Sequence, residues 1–229
     1  MPATAIFDLD RTITRAPTWT RFLIFANRRR LRFWLYLPVL MAHGIAYKLG
    51  FASRDSVKVR SLTTLTWKSR EELHAVADDF IAREVERGLL PGTVAAIRAH
   101  AARGDHLVIA TASVDLIAEP LARALGFHQV IATLIDWSPA AEAPPPRLDG
   151  LNCYGAEKLR RINEHSFQKP VFAYSDHVSD LGMLLQADHA IAVNPSSGLR
   201  RAARDHAITV VDFETTDISY LAEQGLRSE

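Results

Sequence analysis

The stretch Ile6-Phe7-Asp8-Leu9-Asp10-Arg11-Thr12 decides the fold. With Ala5 before it, Ile6-Phe7 forms a continuous apolar run, the pattern of a strand buried on both faces. The chain then leaves the sheet through two aspartates one residue apart, followed by a threonine. In an open parallel sheet, ligands bind beyond the carboxyl ends of the strands, so Asp8 and Asp10 stand where a site is expected. Two carboxylates converging on one point repel unless a cation joins them, and oxygen donors suit a hard ion such as magnesium. Taken alone, the same pair also reads as acids that cap the next helix or face solvent.

The chain around this stretch has 229 residues and is 48% hydrophobic, enough to bury a full core in one domain with an insertion or in two small ones. Its single cysteine, Cys153, excludes an intramolecular disulfide framework, and no Cys/His run has zinc-ligand spacing, so a reducing compartment is expected. Cys153 reads as a packed thiol rather than a nucleophile, since nothing marks a partner base. No basic segment followed by an apolar one precedes the first strand, so no signal peptide is expected and the location is expected to be cytoplasmic.

The net charge of +1 conceals an asymmetry. From Arg15 to Arg60 ten basic residues (Arg15, Arg21, Arg28, Arg29, Arg30, Arg32, Lys48, Arg54, Lys58 and Arg60) face the single acid Asp55. Such a field attracts anionic partners such as phosphorylated substrates, acidic headgroups or nucleic acid, or else it is a solvated basic face. Basic residues without a base-reading module are thin support for nucleic acid.

From Thr12 to about Gly88 the pattern is helical, the mark of an inserted helical unit. The run Phe33 to Tyr47 holds fifteen uncharged residues, short of the ~20 that cross a bilayer, and is interrupted by Pro38, His43 and Gly44. It reads as helices packed within the insert, with His43 at a packed edge, or as a surface dipping into the inner face of a membrane, which its aromatics and the preceding arginines favour. Ser69 to Glu86 is amphipathic, with Ser69 and Glu72 matching a capping box. Arg87 to Gly92 makes a return linker. Strands are then expected at His106–Ala110, Gln129–Ile135, Val171–Tyr174, Ala190–Val193 and Ile208–Val211. The helices between them run over Thr93–Arg103, Val114–Leu125, Ala156–Glu164, Asp180–Gln186 and Leu199–Arg204. Asp136 to Gly150, with Pro144-Pro145-Pro146, reads as a loop or minor hairpin. Strand and helix alternating at this spacing predict an α/β fold, a parallel sheet covered on both faces.

The expected strand ends deliver polar residues. The first gives Asp8, Asp10 and Thr12. The second gives Thr111-Ala112-Ser113 before a helix, where hydroxyls and free amides can receive a phosphate or act as ordinary N-caps. A later one gives Ser175-Asp176-His177-Val178-Ser179-Asp180, and Lys158 lies on the helix before it.

This order of Asp-x-Asp-x-Thr, then Thr or Ser, then Lys, then Asp-x-x-x-Asp resembles the haloacid dehalogenase superfamily over nearly the whole chain. The insert resembles the α-helical C1-type cap of its phosphoserine phosphatase and phosphatidylglycerophosphate phosphatase subgroup. The resemblance implies a Rossmann-like three-layer core from residues 1–14 and 91–229, with a cap at 15–90. It implies a magnesium-dependent phosphatase in which Asp8 becomes an aspartyl-phosphate and Asp10 is the acid/base. Magnesium would be held by the Asp8 and Asp176 carboxylates and the Asp10 carbonyl, with Asp180 behind them. Thr12, Thr111, Ala112, Ser113 and Lys158 would meet the phosphate. Two positions depart from the family pattern: Ser175 stands where glycine is common, and His177 where a small residue is. The segment Ile13 to Thr18 lacks the acid that holds the ammonium of phosphoserine. The expected substrate is therefore a larger or lipid-like phosphomonoester such as phosphatidylglycerophosphate, ahead of soluble phosphoserine or histidinol phosphate. A non-catalytic module docking on anionic membrane or nucleic acid is the alternative from another class.

Overall fold

The computed structural model describes residues 2–138 and 146–223. Strand β1 (Thr4–Phe7) is followed by four helices, α1 (Thr18–Asn27), α2 (Leu31–Lys48), α3 (Arg54–Leu62) and α4 (Arg70–Arg87). Then come α5 (Pro91–Ala102), β2 (His106–Val114), α6 (Asp115–Leu125), β3 (Gln129–Ile135), β4 (Leu148–Asp149), α7 (Ala156–Asn163) and β5 (Val171–Ser175). Next come α8 (Leu181–Gln186), β6 (His189–Val193), α9 (Ser197–Asp205), β7 (Thr209–Val211) and α10 (Ser219–Glu223). The sheet has the order β4-β3-β2-β1-β5-β6-β7. Every pairing is parallel except the antiparallel β3–β4.

The central strand β1 is buried throughout, and its side chains alternate between two cores. Ala5 and Phe7 join Ile109, Leu121, Tyr174 and Phe213 on one side. Ile6 joins Val108, Ala173, Leu184 and Leu199 on the other. Phe7 stacks on Tyr174 with ring centroids 4.1 Å apart. Each large apolar side chain buried this way contributes about 1.5–3 kcal/mol, which fixes the register that carries Asp8 to the sheet's carboxyl edge.

The capping box forms as expected: Ser69 Oγ accepts from the Glu72 amide at 3.2 Å, and Glu72 accepts from the Ser69 amide at 2.8 Å. Gly126 closes α6 in the left-handed region at φ 76°, where a Cβ is disfavoured. His43 is a packed residue whose Nε2 lies 3.1 Å from Ser56 Oγ. Cys153 is fully buried, its thiol donating to the Ile131 carbonyl at 3.7 Å.

One expected element needs correction. Strand β2 does not end at Ala110 but runs to Val114, so the Thr111 and Ser113 hydroxyls do not cap α6, whose N-cap is Val114. The excursion after Asp136 includes a short hairpin strand, β4, in line with the hairpin reading, while residues 139–145, with Pro144 and Pro145, lie outside the described residues. Helix α10 was not anticipated, because a five-residue element has no readable period. Helix α2 passes through Pro38 unbroken, and among the described residues no helix is long and apolar enough to cross a membrane.

Candidate active site

Asp8 is the first residue beyond β1, and its amide still donates to the Tyr174 carbonyl at 2.9 Å, which extends the β1–β5 ladder by one bond. The carboxylate is thereby fixed at the edge of the sheet. The Leu9 carbonyl then gathers the amides of Ile13 (2.9 Å) and Thr14 (3.0 Å) in a tight turn. Arg11 takes φ 64° in that turn, a left-handed conformation that costs a non-glycine residue about 1–2 kcal/mol. On its far side Thr18, the first residue of α1, donates both its amide (2.7 Å) and its hydroxyl (2.8 Å) to Asp10 Oδ1. Two donors on one oxygen hold the Asp10 carboxyl in a single orientation.

From the other side of the sheet Lys158, 2% exposed on α7, bridges two acids. Its ammonium donates to Asp8 Oδ1 at 2.7 Å and to Asp180 Oδ2 at 2.8 Å. Ser175 also donates to Asp180 Oδ2, at 2.8 Å, so the departure from glycine at this position supplies a further anchor for the same oxygen. The Asp176 carbonyl accepts from the Ser196 amide at 2.8 Å, tying the loop after β5 to the start of α9.

Burial governs the electrostatics. It raises Asp8, with Asp180 adding to the rise and the Lys158 ammonium opposing it. It pushes Asp176 up to about 6, again with Asp180 adding to the effect. It raises Asp10 as well, opposed by the two Thr18 hydrogen bonds. Burial works against a charged Lys158, but Asp180 and Asp8 outweigh it and hold the ammonium well above its ordinary range.

Asp8, Asp10, Thr111, Ala112, Lys158, Asp176 and Asp180 all line one cavity of about 300 Å³. Two expected phosphate ligands do not. Thr12 is fully buried, with its carbonyl accepting from the Thr93 hydroxyl and its own hydroxyl without a partner. Ser113 spends its amide on Thr111 Oγ1 at 2.9 Å, and its hydroxyl lies 3.2 Å from Thr18 Oγ1, so it stands behind the Thr18–Asp10 contact. The Thr111 hydroxyl accepts that amide and keeps its own proton for the cavity.

Other residues on the wall were not among the expected ligands. Arg11, Arg54, Tyr154, His177 and Ser179 line the same cavity. Arg54, from α3 in the helical insert, lies with its guanidinium carbon 3.5 Å from the centre of the Tyr154 ring and donates to the Tyr47 hydroxyl at 2.6 Å. One turn on, Lys58 crosses from the insert to the sheet, where it donates to Asn152 Oδ1 at 2.7 Å and to the Ala112 carbonyl. Arg11 stands between two motif residues in the left-handed turn. The others depend on long-range packing.

The donors present fit a hard divalent cation. Among the described residues no three His, Cys, Asp or Glu side chains cluster as a metal site by themselves. The expected set needs only two carboxylates, from Asp8 and Asp176, with the Asp10 carbonyl. Magnesium commonly keeps several waters in such all-oxygen surroundings. Asp180 Oδ1 is buried without a hydrogen-bond partner, an acceptor that a metal-bound water would satisfy.

This fold and this ring of strand-end acids define a known class, and the haloacid dehalogenase-like hydrolase family model matches residues 5–185. The chain belongs to that family. A Mycobacterium tuberculosis protein named as a probable phosphatase is 31% identical over 170 residues, covering 71% of this chain and 52% of its own length. The chain therefore spans about half the length of that relative. A Bordetella pertussis structure of unknown function superposes with a TM-score of 0.80 at 25% identity, covering 93% of this chain and 99% of the other. A substrate-bound phosphoserine phosphatase complex shares the fold, with a TM-score of 0.61 at 14% identity and 98% of both chains covered.

Proposed function

We propose that this chain is a magnesium-dependent phosphomonoester hydrolase working through an aspartyl-phosphate on Asp8. The observation that carries the reading is the paired hold on Asp8 and Asp10: one is bridged to Lys158, the other fixed by Thr18, and both line one cavity with Asp176. The Asp8 oxygen not bonded to Lys158 attacks phosphorus while the bond to the leaving oxygen breaks. Asp10 gives its proton to that leaving oxygen and then takes one from the water that cleaves the aspartyl-phosphate. Lys158 and Thr111 neutralise charge on the transferring phosphoryl group, and phosphoryl transfer needs mainly this positioning and electrostatics. When bound by Asp8, Asp176 and the Asp10 carbonyl, magnesium supplies further neutralisation of that charge.

The helical insert, residues 15–90, serves as the cap over a core of residues 1–14 and 91–229, and it carries the substrate preference. The outward face of α2 exposes Leu31, Trp34, Leu35, Met41 and Ile45, beside Arg28, Arg29, Arg30 and Arg32. An apolar stripe flanked by arginines fits the interfacial layer of an anionic membrane. This favours a membrane-derived phosphomonoester over the soluble metabolites. The test is release of phosphate from p-nitrophenyl phosphate with and without magnesium. Turnover that needs the metal supports the reading, and absence of turnover with any phosphomonoester sinks it.

A further inference from the structure

A second cavity, of about 360 Å³, lies inside the helical insert between α1, α2 and α3. Its walls include Trp19, Leu23, Phe33, Leu37, Leu40 and Val57. Most polar groups on the same walls are already engaged in hydrogen bonds. Ser61 Oγ accepts from Trp19 Nε1 at 2.8 Å, the Tyr47 hydroxyl accepts from Arg54, and His43 pairs with Ser56. Lys58 is directed to Asn152 and the Ala112 carbonyl. A ligand entering this space therefore meets a mainly hydrocarbon surface, with Thr20 and the remaining guanidinium donors of Arg54 as its polar edge.

The cavity is not remote from the chemistry. Arg54 lines both it and the catalytic cavity, and Lys58, on the apolar side, bonds the carbonyl of Ala112 on the catalytic side. The two spaces thus meet across one arginine side chain, held by Tyr47 and stacked on Tyr154. On the apolar cavity's wall Ile24 and Met41 are 40% and 62% exposed, so its lining reaches the solvent-facing surface of the insert.

Resting on the phosphatase reading, we propose that this apolar cavity binds a hydrocarbon chain on the leaving group of the phosphomonoester. Arg54 then marks the point where the polar head of the substrate gives way to its chain. Phosphate in the catalytic cavity and chain in the insert are compatible only with a substrate that has both. A small amino-acid phosphate would leave the second cavity without an occupant.

The experiment is a series of linear monoalkyl phosphates from ethyl to decyl, each below its micellar concentration, assayed for kcat/KM with magnesium. Burying one methylene raises kcat/KM by about fourfold, so the series is expected to climb steeply and then level as the cavity fills. Ile24→Trp, at a half-exposed wall position, is expected to lower the ratio of decyl to ethyl turnover by at least about tenfold. Leu40→Phe is a milder second filling variant, expected to lower the same ratio. A flat series in the wild type, with ethyl or p-nitrophenyl phosphate still hydrolysed, overturns this inference and leaves the phosphatase reading standing. A series that climbs but is untouched in both folded variants also overturns it, because the chain then binds elsewhere. If no phosphomonoester is turned over at all, the phosphatase reading falls and this inference with it.

Discussion

Lys158 Nζ stands 2.7 Å from Asp8 Oδ1, an ion pair between side chains 2% and 10% exposed. The same ammonium lies 2.8 Å from Asp180, so one cation serves two buried acids. Removing it leaves both carboxylates desolvated and unpaired. Lys158→Met is therefore expected to cost about 3–5 kcal/mol of stability, read from urea unfolding. It is also expected to cost about 10²-fold or more in kcat. A variant that unfolds like the wild type and keeps its kcat would show that Lys158 is a bystander.

Thr18 sets the protonation of the acid/base. Its hydroxyl and amide both bond the ionised form of Asp10, which opposes the rise caused by burial. Thr18→Val removes the hydroxyl bond and keeps the amide one, so the Asp10 pKa moves further up. The limb of the kcat–pH profile that reports Asp10 should shift to higher pH, with kcat near neutrality reduced by about tenfold. An unmoved limb would mean that Asp10 does not carry the proton.

Lys58 couples stability to alkaline pH. Burial lowers its pKa to about 8 from an ordinary 10.5, and Asp10 offsets this only in part. Between those two values the unfolded chain binds a proton that the folded chain does not. By linkage, the wild type gains stability as pH rises through this window. Lys58→Met lacks that gain, so the stability difference between wild type and variant should change in favour of the wild type from pH 8 to pH 10. Parallel unfolding curves of the two proteins at both pH values make the comparison.

The apolar face of α2 predicts membrane behaviour without a change of fold. Leu35 and Ile45 are 71% and 57% exposed, so the Leu35→Glu, Ile45→Glu double variant is expected to melt within a degree or two of the wild type. It is expected to lose sedimentation with vesicles containing phosphatidylglycerol. Equal sedimentation of both proteins would remove the membrane from the account.

What could be read in advance follows from how local each signal is. The β1 run Ala5 to Phe7, the Ser69–Glu72 capping box and the strand-end acids are short-range patterns, and they place Asp8, Asp10, Asp176 and Asp180 around one cavity. The length of β2 was not legible, because Thr111-Ala112-Ser113 is polar in composition, yet the Ser113 hydroxyl meets Thr18 of α1 and the Ala112 carbonyl accepts from Lys58 of α3. Thr12 follows the motif acids in sequence, but the turn centred on Leu9 carries it into the interior. Arg54 and Lys58 belong to a segment whose ten basic residues looked alike. Only the packing of α3 against the core separates these two from the surface arginines.

The central claim is that phosphate passes through a covalent bond to Asp8. Acid-quenching the magnesium-loaded enzyme during turnover of phosphorus-labelled p-nitrophenyl phosphate, then mapping the label by peptide mass spectrometry, tests it directly. The account predicts label on the peptide carrying Asp8 in the wild type and none in Asp8→Asn, whose turnover is abolished. Turnover that persists in a folded Asp8→Asn protein, or label on another residue, would contradict it.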